Sequence, residues 1–439
     1  MYFLLLAILL TACVRFYQAV DYARLRWLSP SQRLVVEGDR LASEGRASEA
    51  LLAYQQAVDL DSRNGEALSR LGRAYAAQGR RRTALRYLEQ SLALSRDDQT
   101  LVALVASLRT ASNPTGNMPL AWMYLETAAQ PTGVCSAEGQ VLVAWESGQI
   151  ASLDAADGRM LWQVMLPTSL TSAPAAGDGR VFVGAQDGSL YALSAVDGHQ
   201  LWKVTTHAPI YAPAALEGGR VILASSDGSL YALAARDGSP LWTFTTGGPL
   251  HARPTVAGGS VFAGSNDGRL YALDAATGRL IWPYGAPTDG PVESTASVLE
   301  DRVVFGSGDS RVYAFSAASG GEYWRYSTPD SVFAQPLVEG DSVYVASFGG
   351  VLAALDLLTG QPRWALHGQP PVRFTPALAG NALYFVGERD ANLYALDKVD
   401  GRMLWKMDTG DWFAAGPTVM DGRLILAGKD GAVLAYRLP

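Results

Sequence analysis

Two hydrophobic rhythms divide the chain. From residue 31 to about residue 110 apolar residues recur at helical spacing. Beyond about residue 119 they alternate with polar residues in short runs bounded by Gly, Asp, Asn and Pro. The first rhythm predicts packed amphipathic helices, and the second predicts short strands joined by tight turns. Before either stands MYFLLLAILL, an apolar run too short for the roughly 20 residues that a membrane helix needs.

The strand region repeats itself. DGSLYAL occurs at Asp187–Leu193 and again at Asp227–Leu233, and DGRLYAL follows at Asp267–Leu273. Asp-Gly pairs of this kind are strong two-residue hairpin signals, so the heptapeptide is a turn plus the strand that it launches. Tryptophan keeps the register: Trp122, Trp162, Trp202, Trp242, Trp282, Trp324, Trp364 and Trp405 are spaced by 40, 40, 40, 40, 42, 40 and 41 residues. Four short strands per unit of 40 to 45 residues are the signature of propeller blades. The last unit stops at Pro439 without its Trp strand, and the first Trp strand, at Leu120–Leu125, precedes any complete unit. Joined, the two fragments make one blade. The expected fold is therefore mainly β, an eight-bladed propeller of four-stranded blades over residues 119–439, closed by its N-terminal strand. A side chain burying on the order of 150–250 Å² at one place in every unit is expected to be mortar between blades.

Residues 31–110 carry a period of 34. Gly38 pairs with Gly72, Gly45 with Gly79, Ala50 with Ala84, Tyr54 with Leu88, and Ala57 with Ser91. These offsets resemble the tetratricopeptide repeat, in which small residues let two antiparallel helices approach and large ones fill the gaps. Leu68, Leu71 and Tyr75 fit the second copy. The first copy departs at Glu37, where an apolar residue is expected, and Ser62 and Arg96 stand where each copy would end in Pro. The expectation is two repeats, then a capping helix over Thr100–Thr110 and a turn-rich linker at residues 111–118. Such a pair provides either a protein- or peptide-binding groove or a rigid spacer.

The chain start reads as a signal-peptide core over residues 1–13. Leu10-Thr11-Ala12-Cys13 resembles the bacterial lipobox, which implies lipidation of Cys13, although no Lys or Arg precedes the apolar run. An uncleaved hydrophobic anchor is the alternative. Either way the body is expected outside the cytoplasm, and at the periplasmic face of the outer membrane if the cell has two membranes. Residues 14–30 are rich in aromatics and Arg, suiting either a helix in the membrane interface or one packed on the next domain.

Composition removes several function classes. The net charge of −7 argues against a nucleic-acid surface. Four His and two Cys, with no HxH, CxxC or HExxH, make a multi-ligand metal centre a poor reading. Cys135, between small neighbours, is expected to be buried and without a chemical role. No Ser-His-Asp order, Walker loop or dinucleotide fingerprint is present. Each Asp-Gly pair offers one carboxylate at a hairpin, against the six to eight oxygens that calcium takes.

The blade unit, seen whole in Leu273-Asp274-Ala275-Ala276-Thr277-Gly278-Arg279-Leu280-Ile281-Trp282, resembles the tryptophan-docking repeat of quinoprotein-type propellers. The same repeat builds the BamB-type lipoproteins of outer-membrane protein assembly. The resemblance covers about Pro119–Pro439 and implies the fold. It also implies two functional possibilities: a non-catalytic scaffold, or a dehydrogenase holding pyrroloquinoline quinone and calcium. Quinoprotein dehydrogenases often carry adjacent cysteines and long capping insertions. This chain has no Cys-Cys, and every unit is near minimum length. The helical region is foreign to the usual BamB-type layout.

The residues before each unit's Pro position are expected to reach one mouth of the central channel. By blade they are Pro131 and Gly133, Thr171 and Ala173, Ile210 and Ala212, His251 and Arg253, Glu293 and Thr295, Phe333 and Gln335, Arg373 and Thr375, then Ala414 and Gly416. His251, Arg253, Glu293, Thr295, Gln335, Arg373 and Thr375 are the candidate binding residues. Wet polar groups with no ligand are the plain alternative. The leading reading is a lipid-anchored extracytoplasmic scaffold that uses no cofactor or metal, binds envelope proteins or peptides, and touches the membrane through its anchor but no nucleic acid. A quinone-dependent oxidoreductase and a ligand-sensing propeller are the rivals.

Overall fold

The computed structural model describes residues 27–94, 98–110, 118–126 and 129–439. Cys13 and most of the segment 14–30 lie outside these residues. The chain divides into two compact units, one up to Pro114 and one from Thr115.

The first unit contains five described helices: α1 (Pro30–Ser43), α2 (Ala47–Leu60), α3 (Gly65–Ala77), α4 (Arg81–Leu94) and α5 (Gln99–Thr110). Ser29 starts α1 with a capping box, its hydroxyl accepting from Gln32 N while the Gln32 side chain accepts from Ser29 N. Asn64 caps α3 by accepting from Ala67 N at 3.1 Å. Two close approaches, 34 residues apart, fix the hairpins. A Cβ on Gly38 would lie 2.3 Å from the Tyr54 ring, and one on Gly72 would lie 2.6 Å from the Leu88 side chain. Buried side chains of α1, α2 and α3 share one core, and Ala84, Leu88, Leu101 and Val105 join α4 to α5. Glu37 is tolerated because it faces solvent, bonded to Arg40 at 2.6 Å.

The second unit is an eight-bladed propeller of four-stranded antiparallel sheets. The middle strands explain the continuous apolar runs. Val181 and Val183 pack into a core shared with blade one, while Phe182 between them packs toward blade three. A strand covered on both faces has no polar side.

Blade eight closes the ring. Leu120–Leu125 pairs antiparallel with Ala432–Arg437, and Thr418–Met420 and Arg423–Ala427 complete the sheet. Between blades, Trp122, Trp242, Trp282 and Trp324 donate their indole N–H to Ala155, Ala275, Ala317 and Leu357 carbonyls at 2.9–3.0 Å. Trp162, Trp202 and Trp364 repeat the bond, and Trp405 packs on the blade-seven to blade-eight core. Blade four departs from the common unit. Pro283 follows its Trp, and the outer strand shrinks to Ala286–Pro287. Pro has no N–H for the ladder. Trp282 leaves the sheet, yet stays 2% exposed in its inter-blade socket.

Candidate functional site

In every blade, the loop entering the innermost strand meets the turn between the second and third strands. A repeated backbone bond ties them: Gln186 N donates to Ser169 O, Ser226 N to Pro209 O, Asn266 N to Pro249 O and Gly308 N to Pro291 O, all at 2.8–3.0 Å. Phe348, Glu388, Lys429 and Glu146 make the same bond to Ser331, Pro371, Trp412 and Gln130. Two rings of residues result at one mouth of the channel, each presenting a side chain there except at Gly308. One comes from the loops: Thr132, Thr171, Tyr211, His251, Glu293, Phe333, Arg373 and Ala414. The other comes from the turns: Glu146, Gln186, Ser226, Asn266, Gly308, Phe348, Glu388 and Lys429.

Two loop positions correct the sequence reading. Ile210 is buried in the inter-blade core, so Tyr211 reaches the mouth instead, and Pro131 lies buried at the floor of the mouth, with Thr132 on its rim. The Pro of blade three, Pro213, sits one residue earlier than in its neighbours, which displaced the alternation. Gly133 is likewise buried, with no room for a Cβ against Ala173.

Blades three to seven fill their side of the mouth. Nδ1 of His251 lies 3.4 Å from Oε1 of Glu293, which also accepts from the Asn266 amide at 3.0 Å. Tyr211 meets the His251 ring edge-on at 5.5 Å. The His251 contact is the main cause that holds the Glu293 carboxyl below its ordinary value. Burial opposes it, and the Asn266 bond and the Arg373 charge add to it. Arg373 lies 5.5 Å over the Phe333 ring and 3.9 Å from the Glu388 carboxylate.

The other candidates lie deeper along the same loops. Gln335 N donates to Thr375 Oγ1 at 3.1 Å, and its amide donates to Ser297 Oγ at 2.9 Å. These two lace blades together. Thr295 offers its carbonyl to Ser294 at 3.1 Å. Arg253 is open to solvent, yet enough protein surrounds it to lower its guanidinium pKa. Its charge reaches Cys135, whose thiol burial nonetheless pushes up to about 12. A thiol held neutral in this way is a poor nucleophile.

Blades eight, one and two carry small loop residues, Ala414, Thr132 and Thr171. There the mouth opens into a cavity of about 710 Å³. Leu170, Pro131 and Phe374 line it below, with Gln130, Glu146, Gln186, Glu388, Lys429, Arg373 and Tyr211 around it. Of the seven candidate binding residues, only Arg373 lines this cavity. Glu146 is oriented by the Gln130 amide, 2.6 Å from its Oε1. The turn-ring residues were missed, although blades two to five and eight carried a signal: the residue before the turn Asp differs each time, as Gln186, Ser226, Asn266, Gly308 and Lys429, while the Asp itself is kept.

Among the described residues, no group of three or more His, Cys, Asp and Glu side chains is placed to hold a metal ion. Glu146 and Glu388 stand on different blades of a rim that also carries Lys429 and Arg373. As a rim of mixed charges, these four groups do not gather the oxygen donors that the calcium of a quinone cofactor takes.

The family described as "Outer membrane protein assembly factor BamB" matches residues 56–213, 206–299, 286–384 and 367–437. Among curated proteins, the outer membrane protein assembly factor BamB of Burkholderia pseudomallei is 32% identical over 101 residues, 23% of this chain and 26% of that protein. The quinoprotein alcohol dehydrogenase PedH of Pseudomonas putida is 30% identical over 123 residues, 24% of this chain and 20% of that protein. Both matches span well under two thirds of the relative's own length. Among solved structures, BamB from Moraxella catarrhalis aligns with a TM-score of 0.64 at 22% identity, covering 74% of this chain and 98% of its own. The computationally designed Ika8 protein aligns at 0.66 and 17% identity, covering 73% and 99%. A fold shared with a designed protein assigns no activity. The family match runs through every blade, and on it the chain belongs to the outer membrane protein assembly factor BamB family.

Proposed function

We propose that this protein is a non-catalytic, extracytoplasmic scaffold of envelope protein assembly. In this reading Cys13 carries a lipid anchor and the five helices form a tetratricopeptide arm. The propeller and the arm then present surfaces to other envelope proteins. The observation that carries the reading is the bareness of the blades. Each unit is close to the length its four strands require, and the mouth offers a mixed-charge rim in place of a cofactor's donor set. Family membership supports the assembly role, and the repeated Gly38–Tyr54 and Gly72–Leu88 approaches support the tetratricopeptide arm.

In-cell crosslinking of the full chain, followed by identification of what it captures, tests this reading. Envelope-assembly proteins among the crosslinked partners are the expected result. Purification from cells supplied with pyrroloquinoline quinone and calcium provides the opposing test. A stoichiometric quinone absorbance with alcohol-dependent dye reduction would overturn the scaffold and favour the chemistry of the PedH relative.

A further inference from the structure

We infer that the cavity over blades seven, eight, one and two binds a short peptide segment carrying one positive and one negative group. The inference rests on the scaffold reading and deepens it by naming what the mouth accepts.

The cavity exists because Ala414, Thr132 and Thr171 are too small to fill a space that Tyr211, His251, Glu293, Phe333 and Arg373 fill elsewhere around the ring. Its volume of about 710 Å³ lies in the range of small-ligand sites. The rim carries both signs, with Arg373 and Lys429 on blades seven and eight and Glu388 and Glu146 on blades seven and one. Arg373 is held over Phe333 and near Glu388, yet its side chain is 55% exposed, so guanidinium donors remain for a ligand.

Charge decides the ligand class. A neutral glycan would replace the water around four charged groups with hydroxyl hydrogen bonds but bring no opposite charge, which makes the weaker pairing. A purely acidic or purely basic ligand would be repelled by half the rim. A peptide segment with both signs satisfies each half, and its backbone amides suit Gln130 and Gln186, whose side chains both donate and accept. Its apolar parts would rest on Leu170, Pro131 and Phe374.

Two sources supply this chemistry. In a free short peptide the charges are the chain termini. In a loop of a partner protein they are side chains. Calorimetric titration of the full chain separates them with four probes: tri-alanine with free ends, tri-alanine acetylated and amidated, acetyl-Lys-Ala-Glu-amide, and maltose. Binding of free tri-alanine identifies a free peptide, and binding of the blocked Lys-Ala-Glu probe alone identifies a loop. Arg373→Gln and Glu146→Gln should each weaken the bound probe at least about tenfold. Ala414→Trp, which fills the cavity, should abolish binding at an unchanged melting temperature, and Asp237→Ala on a distant turn should leave it unchanged. The proposal is overturned by silence of both charged probes at about 10 mM, by equal binding of the neutral blocked peptide, by a response to maltose alone, or by full binding in both rim variants. Envelope-protein crosslinks that persist under any of those results would leave the scaffold reading standing and remove only the cavity's role.

Discussion

Trp162 and Gly198 form a socket across the boundary between blades one and two. The indole N–H donates to Ala195 O at 2.9 Å, and a Cβ on Gly198 would come within 2.6 Å of the ring. Gly198 also holds φ at +74°, a left-handed conformation that side chains other than glycine's rarely adopt. Trp162→Ala should destabilise the propeller by about 3–5 kcal/mol, as expected for a large aromatic removed from a packed site. Gly198→Ala should cost about 2 kcal/mol from the other side of the same contact. Chemical denaturation checks both. Because the two residues share one contact, the double variant should cost less than the sum.

Ring closure can be tested by two deletions. Removing residues up to Asn117 keeps the closing strand, Met118 in the blade-seven to blade-eight core and Pro119 O on Arg437 N, whereas removing residues up to Glu126 exposes Ala432–Arg437 as an edge and deletes Trp122. The shorter deletion should melt near the parent propeller. The longer one loses about 3–5 kcal/mol through Trp122 alone and should melt far lower or precipitate. Differential scanning fluorimetry reads the contrast.

Blade five breaks a rule that its neighbours keep. Ser310 stands where the turns of blades one to four, six and eight have Gly, and it sits at φ +68°. Relief of a left-handed non-glycine residue is worth about 1–2 kcal/mol. The freer unfolded chain of a glycine variant takes back about 0.4–1 kcal/mol. Ser310→Gly should therefore raise stability by up to about 1 kcal/mol, and a lowered denaturation midpoint would contradict this account.

At the mouth, pH dependence follows from Glu293. Its carboxyl is held below the ordinary value of 4.5, chiefly by His251, with burial opposing and Asn266 adding. The folded protein therefore favours the charged form. That stability is fully present above pH 4.5 and is lost as pH falls through the lowered value. Glu293→Gln should cost about 1 kcal/mol at pH 7, given partial exposure, and should flatten this part of the acid unfolding profile. Identical pH slopes for the two proteins would refute the assignment.

For the proposed anchor, Cys13→Ser should abolish lipid labelling and detergent partitioning while leaving the body folded. A variant that stays in the membrane with its N-terminal segment intact would favour an uncleaved hydrophobic anchor.

The blades were legible because their constraints are local and repeated. The tryptophan register, the Asp-Gly turns and the split final unit each require particular residue types at fixed offsets. The outer strand of blade four was less legible, because a single Pro283 after Trp282 changes the ladder while the tryptophan keeps its socket. The mouth was read only in part. His251, Glu293 and Arg373 do gather there, but a one-residue offset at Pro213 hid Tyr211. The cavity arose over Ala414, Thr132 and Thr171, the residues with least to offer on their own. Open space is set by what is absent around a ring, and a search for conspicuous side chains passes over it.

The turn ring has a consequence for how such a protein changes. The positions on either side of it serve the hairpin or the inter-blade core, while Glu146, Gln186, Ser226, Asn266, Gly308, Phe348, Glu388 and Lys429 join the frame through main-chain N–H bonds. That bond is the same for any residue with a backbone N–H. Gly308 aside, where a Cβ would meet the Pro291 ring at 2.9 Å, the mouth is thus a word written on a frame indifferent to its spelling. A lineage could respell it one blade at a time, acquiring a new partner without ever passing through an unstable ring.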